Sequence, residues 1–293
     1  VSRQTAGHGT LATIHDWTCA RMTFTHAHAG TVEYDRAGTR LSHQVRPGTG
    51  TPLVLVPGVM ADAATWQPVA DAVELPNPVF TLNRRGHAGS GALGAGYSVG
   101  VEIADLRHIL AELGHAHLFG WSYGALIGLE TALEDVHVRS VTAYEPVSRP
   151  FAPGVVPALR RAIAAGDLDQ AVTLINTEVS GFSPEYVAEL RRSPAWPILR
   201  ALAAPLAEEL AAINAHQPGL DSYRQLDIPV TLILGALNEN RAPYGTAFAP
   251  FAAALPQADL VRLPGQGHLA HVEAPADLAR AITAAVRSAE ADT

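Results

Sequence analysis

Ala116-His117-Leu118-Phe119-Gly120-Trp121-Ser122-Tyr123-Gly124-Ala125-Leu126-Ile127-Gly128-Leu129-Glu130 carries more information about this chain than any other run of its residues. Ala116–Phe119 has the apolar content of a buried strand, and Ala125–Glu130 that of a helix. Between them lies G-x-S-x-G, spanning Gly120 to Gly124. In that context the serine occupies a sharp strand-to-helix turn that pushes its hydroxyl into a cleft. Such a turn strains the serine backbone and crowds the positions two residues either side, so both are glycine. The helix that follows starts with free N–H groups, which stabilise a developing anion.

The flanking sequence repeats the strand–helix alternation. Thr31–Asp35 and Arg40–Val45 read as a hairpin around Gly38. Pro52–Pro57 is a continuous apolar run, as in a strand buried on both faces. Helical spacing is expected over Ala64–Val73, a strand over Pro78–Leu82, and a helix over Val99–Leu113 stopped by Gly114. Further strands are expected at Val138–Tyr144, Val230–Leu234 and Ala258–Leu263. Helices are expected around Ala247–Ala254 and over Pro275–Ala289. This order predicts a mainly parallel, eight-stranded α/β sheet with helices on both faces. Residues 147–226 differ: they are rich in Ala, Leu, Pro and Arg and show no strand. Helical patterns appear at Leu168–Val179, Pro184–Arg192 and Pro205–Ala215. The expectation is a helical lid over the C-terminal edge of the sheet, where open α/β folds bind ligands. The core is then 31–146 with 227–293, and 1–30 form an N-terminal extension in which Met22 is a candidate alternative start.

Composition narrows the function classes. The 293 residues are 48% hydrophobic and 16% charged, enough for a large core. A net charge of −8 disfavours a nucleic-acid or anionic-membrane surface. There is no apolar run long enough for a membrane span, and Val1–Arg21 has no signal-peptide core, so a cytoplasmic location is expected. A single cysteine, Cys19, rules out an intramolecular disulfide framework.

A serine hydroxyl needs a base within reach and a third group to orient that base. The candidate base is His268, in the loop Pro264-Gly265-Gln266-Gly267-His268 after the last strand, with His271 as the nearest rival. Serine before histidine is the chain order of the nucleophile-elbow class. The oxyanion donors are expected to be the N–H of Tyr123 and that of Val59, with Met60 second for the latter. Metal binding by His26/His28 or His115/His117 lacks supporting acidic or thiol ligands, so no metal or other cofactor is expected. Met60, Trp121, Tyr123, Phe151, Trp196 and Leu199 are candidates for lining an apolar cavity.

Taken together, Val54–Gly58 with Trp66, Asn83–Ser90, Gly120–Gly124 and Gly265–His268 with Glu273–Pro275 resemble the α/β-hydrolase superfamily over about residues 31–289. The resemblance implies that fold and a Ser–His–acid triad. It also exposes a departure: the family usually carries an aspartate shortly after the seventh strand, where this chain has Asn238. Two acids remain. Glu239 is the next residue. Glu145 ends the sixth strand, where some family members place their acid, and it is the preferred reading; a salt bridge to Arg149 is its structural alternative. The expected activity is that of a serine hydrolase acting on a small, largely apolar ester-like molecule. Two alternatives follow from the same resemblance: a non-hydrolytic or C–C bond-cleaving enzyme, and a ligand-binding member without catalysis.

Overall fold

In β3 (Leu53–Val56) successive side chains point to opposite faces of the sheet, and both faces are apolar. Leu53 and Leu55 enter one core cluster and Val54 and Val56 the other. The same division continues in β4 (Val79–Asn83), β5 (Ala116–Trp121), β6 (Val138–Tyr144) and β7 (Val230–Gly235). A strand buried on both sides needs helices on both sides, and the chain supplies them.

The computed structural model describes residues 30–36 and 38–291. Apart from Gly30, the expected extension 1–30 lies outside the described residues, with Cys19, Met22, His26 and His28. Eight strands form one sheet in the order β1-β2-β4-β3-β5-β6-β7-β8, where β1 is Gly30–Arg36, β2 Thr39–Arg46 and β8 Asp259–Leu263. The β1–β2 and β2–β4 pairs are antiparallel and the remaining pairs parallel. This is the α/β-hydrolase fold.

On one face lie α1 (Gln67–Ala72) and α11 (Pro275–Ala291), packed around Trp66, Phe119 and Trp121. On the other lie α2 (Val99–Leu113) and α3 (Tyr123–Glu134). Ser98 caps α2 by accepting from the N–H of Val101, and Gly114 ends it at φ 75°. Helix α1 starts later than the expected Ala64. Asp62 and Thr65 cross-bond, side chain to backbone N–H in both directions, and so hold a turn there.

The segment between β6 and β7 carries five α-helices and no strand: α4 (Val156–Ala164), α5 (Leu168–Leu174), α6 (Pro184–Leu190), α7 (Ala195–Leu202) and α8 (Leu206–Ala215). A π-helical turn, Ile175–Val179, ends α5. Helix α9 (Tyr244–Ala254) links β7 to β8, and the short α10 (Ala270–Glu273) follows β8. No described helix is long and apolar enough to cross a membrane.

Candidate active site

The residue after β5, Ser122, has φ 57° and ψ −117°, a conformation that costs a non-glycine residue about 1–3 kcal/mol. A sheet bond before it and the first helical turn after it impose it. The Ser122 N–H donates to Tyr144 O at 2.9 Å, continuing the β5–β6 ladder. Its carbonyl then accepts from Ala125 and Leu126 as the first turn of α3. The flanking glycines are required by space: a Cβ on Gly120 would lie 2.4 Å from Gly124 O, and one on Gly124 2.0 Å from Val56 O. The strand, the helix and the end of β3 thus converge on the serine, which is 3% exposed.

His268 comes from the loop after β8. Its Nδ1 lies 2.6 Å from Glu145 Oε2. A carboxylate only accepts, so Nδ1 carries the proton and Nε2 keeps a lone pair when the ring is neutral. Glu145 follows β6 directly, is fully buried and has φ 45°. Its N–H donates to Ile233 O at 3.0 Å, extending the β6–β7 ladder. Its Oε1 accepts from the N–H of Gly235 at 2.8 Å and from Asn238 Nδ2 at 2.9 Å; the same amide reaches Oε2 at 3.0 Å. Asn238, at the position the family usually gives to the acid, therefore serves as a donor to the neighbouring strand's carboxylate. Glu239 points elsewhere and pairs with Arg262 at 2.8 Å on the surface. No link from Glu145 to Arg149 is needed for its charge, since His268 and three donor contacts occupy it.

Aromatic rings enclose the histidine. Tyr244 stacks on it with centroids 3.5 Å apart and planes 10° from parallel, and the Tyr244 hydroxyl is 2.8 Å from Ser180 Oγ, at the end of the π-helical turn. The Trp121 indole N–H donates to His268 O at 2.9 Å, and the Tyr144 hydroxyl donates to Gly267 O. Burial lowers the pKa of His268; the hydrogen bond and negative charge of Glu145 offset part of that. The rival, His271, is stacked against Trp66 at 4.9 Å, and burial pushes it down to about 3. It is a neutral aromatic support.

The family model described as "Alpha/beta hydrolase family" matches residues 53–281. The chain belongs to the alpha/beta hydrolase family. It is 27% identical over 244 residues to a putative carbamate hydrolase, RutD, of Variovorax paradoxus, covering 76% of this chain and 86% of that one. It is 35% identical over 117 residues to an uncharacterized hydrolase, YraK, of Bacillus subtilis. That match spans 38% of this chain and only 42% of the relative's length. Among solved structures, an alpha/beta hydrolase from Sphaerobacter thermophilus superimposes with a TM-score of 0.74 at 28% identity, covering 87% of this chain and 99% of that one.

In this alpha/beta hydrolase the other expected site residues separate into two groups. Val59 and Met60 lie in the loop after β3, partly exposed, and a Cβ on the adjacent Gly58 would meet Ser122 Cβ at 2.9 Å. Met60 itself has φ 57°. The Phe151 ring is 6.1 Å from that of Tyr244 and so joins the aromatic column over His268; its backbone is pinned by Asn214 of α8. Trp121 departs from the expected lining position. It is 5% exposed and packs on Trp66, His268 and His271, so it supports the histidine loop from the core side. Trp196 likewise belongs to the helical segment: its N–H donates to Asp169 at 2.5 Å and its face lies under Arg191. Leu199 packs against the same core as a partly buried residue.

Three residues at the site were not singled out for it by the sequence: Asn238 as donor, Tyr244 and Arg84. Asn238 was legible as an amide in the acid's place. Tyr244 carries no motif. Arg84 stands in Asn83–Ser90, where two adjacent arginines look interchangeable. Among the described residues, no group of three or more His, Cys, Asp or Glu is arranged to hold a metal. His117 contacts Ser140 at 2.8 Å, and the His115 ring lies tilted against that of His137 with centroids 5.7 Å apart.

Proposed function

We propose that the protein is a serine hydrolase that cleaves a small, largely apolar ester-like substrate through an acyl-enzyme on Ser122. The observation that carries this reading is the 2.6 Å contact between His268 Nδ1 and a fully buried Glu145, both at the C-terminal edge of the sheet that presents Ser122. The carboxylate orients the imidazole with Nε2 as base. His268 takes the Ser122 proton as the hydroxyl attacks the carbonyl. The oxyanion is held by the N–H groups of Val59 and Tyr123, the latter being one of the first-turn donors that α3 cannot use itself. His268 then protonates the leaving alkoxide, and water repeats the cycle on the acyl-enzyme.

Asn238 is what speaks for a non-catalytic binder in the sequence. Its two contacts to Glu145 give the amide a supporting place in a triad instead. The relative of Variovorax paradoxus bears the name of a hydrolase acting on a carbamate, another carbonyl compound. The apolar surroundings of the site, with Phe151, Tyr244 and Met60, support an uncharged acyl group. Residues 147–226 act in this reading as a lid, in agreement with the Ser180–Tyr244 contact that ties them to the base.

A fluorophosphonate probe tests the proposal. Labelling mapped to Ser122, with loss of p-nitrophenyl ester turnover in Ser122→Ala, is the expected outcome. An unlabelled wild-type serine, or a Ser122→Ala protein with full activity, refutes it.

A further inference from the structure

Arg84 follows β4 directly, and its guanidinium is buried, with 2% of the side chain exposed. Its Nε donates to Pro57 O and one terminal nitrogen to Gly58 O, each at 2.8 Å. That same nitrogen meets Glu209 Oε1 at 2.5 Å, and the other terminal nitrogen meets Glu102 Oε1 at 2.9 Å. Its Cζ lies over the Tyr123 ring, 4.8 Å from the centroid. Tyr97 bonds both Glu102 Oε1 and the Tyr123 hydroxyl, at 2.6 and 3.3 Å. His87 Nε2 donates to Glu209 at 2.9 Å. With its donors directed at two carbonyls and two carboxylates, Arg84 is not a receptor for an anionic substrate.

The two carbonyls carry the argument. In an extended strand consecutive carbonyls point to opposite sides. Here Pro57 O and Gly58 O both turn to one cation. A trans peptide is planar with its C=O and N–H antiparallel, so the N–H groups of Gly58 and Val59 face the other way. Successive N–H groups on one side form an anion-binding concavity. The loop that carries them lies against the nucleophile, as the 2.9 Å approach of a Gly58 Cβ to Ser122 Cβ requires.

We infer that Arg84 is the positioning residue of the oxyanion hole, and that Glu209, on lid helix α8, holds the guanidinium in place. This rests on the serine-hydrolase reading above. The arrangement couples three elements through one buried cation. The loop after β3 supplies the Val59 donor, α3 supplies the Tyr123 donor, and α8 supplies the countercharge. Arg85, the adjacent arginine, does a different job: it pairs with Asp105 of α2 and with Thr39. Lysine at position 84 conserves the charge but not the fork that spans both carbonyls.

The test compares wild type with Arg84→Lys and with the double variant Arg84→Gln/Glu209→Gln, which leaves the cluster's net charge unchanged and so guards against simple unfolding. Each is measured for kcat and KM on p-nitrophenyl acetate. Each is also measured for inhibition by an aryl trifluoromethyl ketone, whose adduct carries an oxyanion, and for the orientation of the Gly58–Val59 peptide by crystallography. A misplaced oxyanion donor costs on the order of 100-fold in kcat. The expected result is that loss, with KM within about threefold, ketone affinity reduced in step with kcat, and the peptide rotated. Folded variants with wild-type kcat overturn the inference, as does a loss confined to KM with ketone affinity intact. Wild type that neither turns over the ester nor labels at Ser122 sinks the serine-hydrolase reading instead. The peptide orientation still judges Arg84 in that case, and an unmoved peptide in the double variant overturns the inference by itself.

Discussion

Replacing Glu145 by glutamine is an isosteric change with a chemically specific consequence. Oε1 accepts from Gly235 N–H and Asn238 Nδ2, while Oε2 faces His268. The backbone N–H of Gly235 cannot reorient, so the amide oxygen of the substituted side chain is held at the Oε1 position. Its NH2 group then falls at the Oε2 position, 2.6 Å from Nδ1 in the native geometry. An NH2 group donates, so Nδ1 must accept, and the imidazole proton moves to Nε2. That tautomer cannot take a proton from Ser122. The imidazolium of the proposed mechanism also loses its buried counterion. In the well-studied Ser–His–Asp enzymes a wrong tautomer of this kind costs about 10⁴ in kcat, equal to about 5.4 kcal/mol of barrier. Steady-state turnover of p-nitrophenyl acetate by Glu145→Gln is expected to fall by that order. Melting temperature should fall only modestly, because the shape and the contacts of Gly235 and Asn238 to Oε1 remain while the Asn238 contact to Oε2 is lost. Glu239→Gln, which loses only a half-exposed contact to Arg262, is the control and should shift stability by no more than about 0.5 kcal/mol and leave turnover intact. A folded Glu145→Gln enzyme within tenfold of wild type refutes the tautomer argument, and collapse of activity in Glu239→Gln reassigns the acid.

Two other outcomes are expected. Burial lowers the pKa of His268, so in its proposed role as base it is neutral at pH values where an exposed histidine is still protonated. The acid limb of kcat/KM should therefore have its midpoint below the ordinary histidine value of about 6.5; a midpoint at or above it contradicts the enclosure described. Tyr244→Phe keeps the ring on His268 and loses only the Ser180 contact, so kcat should stay within about threefold. Tyr244→Leu removes a stacking partner of the kind worth about 0.5–1.5 kcal/mol and opens His268 to water. It should lower kcat up to tenfold and move the acid limb upward, and equal behaviour of the two variants would deny the stack a role in positioning.

Much of this is legible in the residues. Strand identity comes from two-sided apolar runs such as Leu53–Val56, because a parallel strand buried on both faces leaves no room for alternation. Helix α2 is legible to the residue from its apolar spacing and the Gly114 stop, and the structure adds the Ser98 cap at its start. Helix α1 is shorter than its pattern suggests, because a turn closed by Asp62 and Thr65 has the same apolar content as a helix start. The π-helical turn at Ile175–Val179 leaves no compositional trace.

Local sequence is enough to define the elbow. Gly120, Ser122 and Gly124 sit within five residues, so the pattern is read locally, although only the Gly120 clash, with Gly124 O, is short-range; Gly124 is required by Val56 O of β3. The same sequence offers two acids and prefers Glu145 only by its place at a strand end. The choice becomes physical through strand order: β5, β6, β7 and β8 lie side by side. The ladder bonds Ser122 N–H to Tyr144 O and Glu145 N–H to Ile233 O fix the strand ends to one another. Glu145 is thereby held inside the row beside His268, while Glu239 is carried past its edge to Arg262. The same holds for Trp121, which sequence reads as an apolar ring beside a nucleophile. The alternation along β5 turns it into the core cluster shared with α1 and α11, where it braces the histidine loop through His268 O.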